Sequence, residues 1–292
     1  MTPWTKAPHA RRRRPSLRRL LARYTRAMSA ALLLLASPLA AQADETSARL
    51  SMRDASNPLL VVFSELGPFY IELYPAQAPR NVSRLLQLVE GEARFDSSDL
   101  RYRYYDQTRV HAVDEHRSFR FGAPKFTRFG LVPPPIGEEI DAEALGLTEK
   151  PLLNEAAEVA SMLGIGSREE FDAQILAPLY ARASIEDKAE LRQRAAELMG
   201  ELNSLSVADA LENLGHRFTE GLRSPPVSRG DAVLLSAPPG TASTEILIAL
   251  TASPWLDGRV TPIGKIVEGQ DVADEIGRGG AGATQIYSVR RL

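Results

Sequence analysis

The residues with the clearest chemical potential lie in TRVHAVDEHRSFRFGAP, residues 108–124, where apolar and polar side chains alternate as in a pair of strands. His111 and His116 lie in this stretch, only His216 follows them, and the chain contains no cysteine. The spacing of the first two histidines is not that of a familiar metal-ligand pair, and thiolate chemistry is excluded. We therefore interpret His111 as a structural or groove-lining side chain and expect neither a metal nor a cofactor.

Short runs around this stretch predict the elements that would hold it. Residues 59–63 and 69–74 predict a hairpin with one buried face. Residues 82–89 have apolar side chains at helical spacing and predict a helix that stops at Gly91. Further strands are expected at 108–113, 119–122, 232–235, 245–250, 260–266 and 285–289.

The middle of the chain, residues 137–213, is rich in Ala, Leu and Glu and differs from both flanks. Proline-rich segments precede and follow it. Pairs of residues three apart predict N-terminal helix caps at Ser167 with Glu170, Ser184 with Asp187, and Ser206 with Asp209. They indicate about four helices, the first of which Pro178 is expected to end or bend.

Strand-like sequence on both sides of this helical block has a consequence for the topology. A sheet that is interrupted in the sequence must be completed by strands from both flanks. The sequence therefore predicts a closed antiparallel β-domain that carries a helical insertion.

Several motifs resemble those of cyclophilin-type peptidyl-prolyl cis-trans isomerases. GPFYIELYPAQAPRNVSRLLQLVEG at 67–91 and TEILIALTASPWLDGRVTPIGKIVEGQDVADEI at 244–276 resemble the opening and closing segments of that family. Between them, YYDQTRVHAV resembles the family's Tyr-Asp-Gly-Thr-x-Phe-His-Arg-Val, and LGHRFTEGL at 214–222 resembles its Gly-Tyr-x-Phe-x-Asp-Glu. The resemblance covers 58–136 and 214–292. It implies a mainly β fold with helices, an eight-stranded closed barrel capped by two helices, interrupted by the insertion at 137–213.

The resemblance also implies a site that has lost its catalytic groups. The family directs an arginine at the prolyl nitrogen and fixes the peptide with a glutamine and an asparagine, whose positions here are Ala112, Phe121 and Ser236. A second family glutamine is Glu245, and the groove histidine is Val260. Rotation about a peptide bond has a barrier of about 18–20 kcal/mol, and losing one preorganised donor typically costs about 10² to 10³ in rate. Isomerase activity is therefore expected to be weak or absent.

An outline of a peptide-binding groove is nevertheless expected from the resemblance. Its members are His111, Ala112, Phe119, Phe121, Leu235, Ser236, Glu245, Leu247, Trp255 and Val260. The apolar members would receive a proline ring. Among nearby arginines, Arg109 and Arg120 are expected to face away from the groove because of strand alternation, whereas Arg117 in the turn is unconstrained.

The first 43 residues are typical of a secretory signal peptide. A basic segment precedes the apolar run 27–40, and Ala41-Gln42-Ala43 matches a cleavage site. An uncleaved membrane anchor is the alternative, but the apolar run is short for a membrane span. Residues 44–57 are polar and without periodicity, which predicts a flexible leader. We expect an exported, periplasmic protein.

Charge and composition narrow the partners. Residues 44–292 contain 26 basic and 37 acidic side chains, a net charge of −11. This balance argues against nucleic acid and anionic membrane surfaces as partners. The absence of cysteine means that the fold depends on its hydrophobic core rather than on disulfides.

Two functions follow from these observations. One is a peptidyl-prolyl cis-trans isomerase that acts on proline-containing polypeptides without a cofactor, with low activity. The alternative is a non-catalytic proline-peptide-binding chaperone or scaffold that works through the groove or the helical insertion. Ala112 and Phe121 favour binding over fast catalysis. Client proteins and oligomeric state stay open.

Overall fold

The computed structural model describes residues 43–96, 98–153, 163 and 165–292. The expected signal peptide, except Ala43, lies outside them. The nine described strands are β1 (Leu59–Ser64), β2 (Gly67–Leu73), β3 (Thr108–Asp114), β4 (Ser118–Phe121), β5 (Ile136–Gly137), β6 (Asp231–Ser236), β7 (Thr241–Ala249), β8 (Val260–Glu268) and β9 (Gln285–Arg291).

Eight of these strands form a closed antiparallel barrel. Hydrogen bonding follows the order β4-β3-β9-β1-β2-β8-β6-β7, and a β4–β7 pairing closes the ring. The two-residue strand β5 pairs with the start of β7 at the side of this ring. Strands from both flanks of the helical block are interleaved in one closed ring, so the predicted closed barrel with a helical insertion is confirmed.

Two helices pack on the barrel core. Helix α2 spans Pro79–Glu90, and Gly91 ends it in the left-handed conformation with φ 82°. The second, which is helix α8 in chain order, spans Gln270–Arg278. Both bury apolar side chains against the barrel interior, Val82 and Leu85 from the first helix and Ala273 and Ile276 from the second. They are the two covering helices that the resemblance implies.

The first turn of α2 is capped by a residue from a distant part of the chain. Ala78 precedes the helix and provides no side-chain cap. Instead Glu139 accepts hydrogen bonds from the backbone N–H of Arg80 at 3.1 Å and of Asn81 at 2.8 Å. Burial acts to raise the pKa of Glu139, but the hydrogen bonds from Asn81 and Arg80 outweigh it and leave that pKa below its ordinary value. Glu139 therefore joins the start of the inserted segment to the barrel.

Residues 44–57 form ordered structure in place of the expected flexible leader. Helix α1 spans Glu45–Ser51, with Asp44 as its N-cap. Ala43 and Ala48 are buried against Leu59, Val61 and Tyr70 on the outside of the barrel. A helix of seven residues is too short to be stable alone or to show periodicity. Packing against the strands is therefore what stabilises it.

The rest of this segment is fixed by one buried acid. Glu72, which is fully buried, accepts hydrogen bonds from the backbone N–H of Arg53 and of Asp54 and from the side chain of Asn57. A buried carboxylate requires such donors.

The inserted region has a hydrophobic core of its own. Its described helices are α3 (Arg168–Phe171), a π-helical segment (Asp172–Leu176), α4 (Ala177–Arg182), α5 (Lys188–Gln193), α6 (Ala195–Ser204) and α7 (Val207–Asn213). Buried residues of these helices, among them Ile175, Leu179, Leu198 and Leu211, form one cluster together with Leu147 from the segment before them. None of the helices in the described part of the chain has the length and apolar character that crossing a membrane requires.

The boundary of the insertion differs from the expected one. Gly137 lies in a strand of the sheet, and Glu139 caps α2, so residues 137–141 belong with the barrel. The two ends of the insertion meet there, where the backbone N–H of Thr219 donates to the carbonyl of Ile140 at 2.7 Å. The insertion therefore starts near Ala142, the first residue of its hydrophobic cluster.

The predicted caps have different outcomes. The capping boxes at Ser167 and Ser206 are confirmed. The prediction for Ser184 is wrong, because Asp187 itself caps α5 by accepting from Ala189 and Glu190. Pro178 follows the π-helical segment, whose wider turn is one way to accommodate a residue that has no N–H and crowds the preceding turn.

Candidate functional site

A β-bulge at His111 sets the geometry of the candidate site. Val110 pairs with Phe121, but the next pair is Ala112 with Arg120, so His111 is the extra residue of β3. Val110 and Phe121 point into the barrel core. Ala112 and Arg120 consequently lie together on its outer face, and Arg120 is also paired with Leu247 on β7.

Three ionisable side chains form a network on this face. Glu245 Oε1 lies 2.8 Å from His111 Nε2 and 3.3 Å from the Arg120 guanidinium. His111 and Glu245 are mostly buried, with 8% and 16% of their side chains exposed, whereas the Arg120 side chain is 42% exposed. Because a carboxylate only accepts hydrogen bonds, His111 carries its proton on Nε2. The more exposed Arg120 is the group that a ligand reaches.

The imidazole of His111 is held from a second direction. Its ring stacks on Phe126 with the centroids 4.4 Å apart and the planes inclined by 13°. Its Nδ1 is buried and has no hydrogen-bond partner. The contact with Phe126 was not expected from the sequence, because Phe126 lies in a short 3₁₀ turn that carries no strand signal.

An apolar patch adjoins this network on the outer face. Its buried members are Val227, Val233, Leu247, Ala249 and Val260, and the partly buried Leu235 and Leu256 pack against them. This patch is separate from the barrel core. It contains three of the residues expected in the groove, Leu235, Leu247 and Val260.

Trp255 and Ser236, two of the expected groove residues, each make a contact with another residue of the protein. The guanidinium of Arg117 lies over the indole of Trp255, 4.0 Å from the ring centroid. Ser236 donates a hydrogen bond of 2.6 Å to the carbonyl of Arg259. Arg117 therefore lies at the tryptophan rather than at the Ala112 position.

Two of the expected groove residues lie elsewhere. Phe119 and Phe121 are fully buried in the barrel core, where Phe119 packs against Phe69 and Phe121 packs against Tyr105. Side chains alternate along β4, so Arg120 between them points outward. The prediction that Phe119 and Phe121 line the groove is wrong, and the expectation that Arg120 faces away from it is wrong for the same reason.

A buried acid–histidine pair joins the barrel to the end of the insertion. Glu138 Oε1 lies 3.0 Å from His216 Nδ1, and Glu138 Oε2 accepts the backbone N–H of Arg217 at 3.0 Å. Burial alone would raise the pKa of Glu138, but the hydrogen bonds from His216 and from the backbone N–H of Arg217 bring it below its ordinary value. His216 is thus structural and joins the end of the insertion to the barrel through Glu138.

Taken together, the outer face offers one exposed guanidinium next to an apolar patch. A guanidinium donates hydrogen bonds to carbonyl oxygens, and an apolar patch binds a compact apolar ring. The face therefore has the components needed to bind an extended peptide through a carbonyl and an apolar side chain. On this face Arg120 lies directly opposite Ala112, so a guanidinium is present beside the position where the sequence has only alanine.

Comparison with proteins of known structure gives a consistent set of matches. The chain is similar to solved cyclophilins. A cyclophilin-type peptidyl-prolyl cis-trans isomerase from Cryptosporidium parvum matches with 11% identity over 81% of this chain and 98% of its own, at a TM-score of 0.44. Its structure in the presence of the dipeptide Ala-Pro matches with 12% identity over 79% and 96%, at 0.41.

A cyclophilin from Hirschia baltica has 17% identity over 80% of this chain and 73% of its own, with a TM-score of 0.42. No family model matches the sequence.

Proposed function

We propose that this protein is an exported cyclophilin-like protein that binds proline-containing segments of polypeptides and isomerises them slowly. The eight-stranded barrel with two covering helices supports the general assignment, as do the motifs at 67–91 and 244–276.

The observation that carries the proposal is the pairing of Ala112 with Arg120 across adjacent strands. The guanidinium missing from β3 is supplied from β4, at the next position across the sheet. Stabilising the twisted amide requires a hydrogen-bond donor beside the prolyl nitrogen. Arg120 is the donor directly across from Ala112 on the outer face, and in this proposal the residual activity depends on it.

Low activity follows from the partner of Arg120. Glu245 holds the guanidinium at 3.3 Å and shares its carboxylate with His111. Directing Arg120 at a peptide requires loss or rearrangement of this ion pair. The rearrangement reduces the stabilisation available in the transition state, because only interactions that strengthen there accelerate the reaction. Binding without fast catalysis is the outcome.

Isomerisation of a proline tetrapeptide, followed by NMR exchange, tests the proposal. We expect slow but measurable catalysis by the parent protein and at least about a tenfold loss in Arg120→Met. This is smaller than the loss of about 10² to 10³ for a fully preorganised donor, because Glu245 restrains the guanidinium. Arg109→Met is the matched control, since Arg109 is an exposed arginine of β3 outside this network. Equal rates in the parent and Arg120→Met would contradict the role of Arg120.

A purely binding function is the second candidate, and Ala112 favours it. It predicts that the tetrapeptide shifts resonances of Leu247 and Val260 without any exchange enhancement. If neither exchange nor shifts are seen at millimolar peptide, the outer face is not a peptide site.

The proposed cellular location rests on the amino-terminal sequence alone. The basic segment, the apolar run and Ala41-Gln42-Ala43 support export and cleavage before Asp44. Amino-terminal sequencing of the protein purified from the expressing cell tests this. A product beginning at Met1 in the cytoplasm would contradict it.

A further inference from the structure

The loop between β7 and β8 supplies part of the outer face. We call residues 253–259 the tryptophan loop. Within it, Trp255 lies under the guanidinium of Arg117, and Leu256 packs against the apolar patch. Val260, a buried member of that patch, follows the loop directly as the first residue of β8. The position of the loop therefore sets the shape of the surface that a bound peptide would meet.

The barrel holds both ends of the tryptophan loop by hydrogen bonds. The backbone N–H of Ser253 donates to the carbonyl of Val227 at 2.9 Å, and the carboxylate of Asp257 accepts from the N–H of Val227 at 2.8 Å. At the other end, Ser236 donates to the carbonyl of Arg259 at 2.6 Å. Val227 belongs to the apolar patch and Ser236 to the expected groove, so these bonds join the loop to the candidate site.

The same loop also packs on the core of the helical insertion. A Cβ at Gly258 would lie 2.6 Å from Leu211 and 2.7 Å from Leu147, so the backbone of the loop is in close contact with both leucines. Both are fully buried in the hydrophobic cluster of the insertion. Gly258 has a φ of +77°, a conformation that a residue with a Cβ rarely adopts. The insertion and the outer face therefore meet at this one loop.

Arg259 makes the polar part of this contact. Its Nη2 donates to the carbonyl of Leu163 in the insertion at 2.8 Å, whereas its Nε is buried without a hydrogen-bond partner. Burial lowers the pKa of Arg259. The backbone carbonyl of the same residue accepts from Ser236. One residue thus connects the insertion to the expected groove, with its side chain on one and its backbone on the other.

The choice of arginine at this position is costly for stability. A buried guanidinium that lacks hydrogen-bond partners loses more hydration than one hydrogen bond returns, and an apolar side chain would seal the contact at a lower cost. Violations of this kind are expected where a residue serves function rather than stability. A directed hydrogen bond fixes the loop in one orientation, which apolar packing does less well.

We propose that the insertion positions the peptide site, with Arg259 as the positioning residue that holds the tryptophan loop against the apolar patch. This inference rests on the proposed function, because the ligand of the outer face is the proline-containing segment. The insertion thereby affects how tightly the segment binds. It leaves the chemistry at the bound amide to Arg120, which lies across the sheet on β4.

The test compares Arg259→Met, which cannot donate, with Arg259→Lys, whose ammonium can still donate to the carbonyl of Leu163. NMR titration with the proline tetrapeptide gives Kd, and exchange at saturating peptide gives the rate in the bound state. In Arg259→Met we expect Kd to rise at least about threefold, because an unfixed loop must be ordered when the peptide binds. Arg259→Lys should stay within about twofold of the parent. Arg168→Met, at an exposed arginine of the insertion, is the control and should match the parent.

The rate at saturating peptide separates positioning from catalysis. It should stay within about twofold of the parent in Arg259→Met, since loss of uniform binding raises Kd alone. An unchanged Kd in Arg259→Met would overturn the proposal. So would an equal loss of affinity in Arg259→Lys, which would show a general packing defect. If Arg259→Met does not fold, as judged by circular dichroism, Gly258→Ala replaces it, because the added methyl group displaces the loop from Leu147 and Leu211.

A measurement without peptide distinguishes failure of this inference from failure of the proposed function. The indole N–H resonance of Trp255 reports the loop directly, and Trp4 is the only other tryptophan of the chain. It should shift in Arg259→Met and stay in place in Arg259→Lys and Arg168→Met. If the parent binds no proline peptide, the proposed function fails, and this resonance still decides whether Arg259 positions the loop. No shift in Arg259→Met would show that it does not.

Discussion

At the scale of single residues, the position of Arg120 is decided by one extra residue in the neighbouring strand. The bulge at His111 places Ala112 and Arg120 opposite each other on the outer face. A cross-strand pair of this kind has Cβ atoms about 4.5–5.5 Å apart. Moving the arginine from one member of the pair to the other therefore shifts the guanidinium by little more than the spacing between two strands.

This pairing predicts that the double variant Ala112→Arg with Arg120→Gln gains isomerase activity. It moves the guanidinium to β3, at the position that the resemblance assigns to the arginine. It also places an amide opposite that arginine on the outer face, because Phe121, the position that the resemblance assigns to the glutamine, points into the core. We expect at least about a tenfold increase in rate, from the same NMR exchange measurement. The single variant Ala112→Arg should gain less, because two arginines would then compete for Glu245. A larger gain in the single variant would contradict the pairing.

Another residue-scale property concerns Asp257, which follows the tryptophan turn. Burial raises the pKa of Asp257 from 3.8 to about 6, although its hydrogen bond from the backbone N–H of Val227 opposes the change. A raised acid pKa means that the folded state holds its proton more tightly than the unfolded state. Its contribution to stability is present below pH 3.8 and is lost as the pH rises to about 6.

Asp257→Asn should therefore stabilise the protein at pH 7.5 and have no stabilising effect at pH 3.5. The amide oxygen still accepts from Val227, so only the charge is removed. Urea unfolding at the two pH values measures the difference. Asp271→Asn, at an exposed acid of α8, is the control and should show no such change with pH. A gain of equal size at both pH values would contradict the pKa of Asp257.

At the scale of elements, α1 illustrates a helix that exists only through its packing. Of its seven residues, Ala48 alone is buried, and Ser47 donates to Glu268 on β8 at 2.9 Å. The helix covers Leu59, Val61 and Tyr70, which would otherwise be an exposed apolar patch on the barrel.

The substitution Ala48→Glu should reduce the free energy of unfolding by about 1–3 kcal/mol, because it forces a carboxylate into a packed apolar contact. Leu50→Glu is a matched control on the same helix, since Leu50 is 83% exposed. It should change stability by no more than about 0.5 kcal/mol. Urea unfolding measures both. Equal effects of the two variants would show that α1 does not pack on the barrel in solution.

At the scale of the whole molecule, the insertion and the barrel have separate hydrophobic clusters, and contacts between described residues join them at two places. The insertion begins and ends where Ile140 and Thr219 share a hydrogen bond of 2.7 Å. It also touches the loop after Trp255, where Arg259 donates to the carbonyl of Leu163 at 2.8 Å. A Cβ at Gly258 would meet Leu147 and Leu211 at less than 3 Å, so this contact requires glycine.

Replacing residues 143–213 with a short Gly-Ser linker should leave the barrel folded, because residues 137–141 and His216 are kept. The melting temperature should fall, because the loop around Gly258 loses its packing against Leu147 and Leu211. Circular dichroism and thermal unfolding measure both results. An unfolded deletion product, under conditions where the parent is stable, would show that the insertion completes the core of the barrel.

The sequence by itself determined the architecture, because that information is local and repeated. The apolar run 59–63 predicted β1 and the alternation in 69–74 predicted β2. The helical spacing of 82–89 predicted α2, and strand signals on both flanks required one interrupted barrel. The spacing of apolar residues along one segment is the same whichever strand that segment pairs with, so these predictions needed no knowledge of neighbouring strands. Ala112 was also recognisable as the loss of an arginine.

Only the tertiary structure decided which side chains meet at the site. A single bulge at His111 reverses the alternation that sequence reasoning assumes, and it leaves no signal in the residue types. The face that each residue of β4 takes was also decided by strand pairing, which turns Phe119 and Phe121 into the core and Arg120 to the outer face. Nothing in the sequence indicated that the Nε of Arg84 and the Oδ1 of Asn81 are buried without hydrogen-bond partners. That burial arises only when α2, the proline run 133–135 and β7 pack around them.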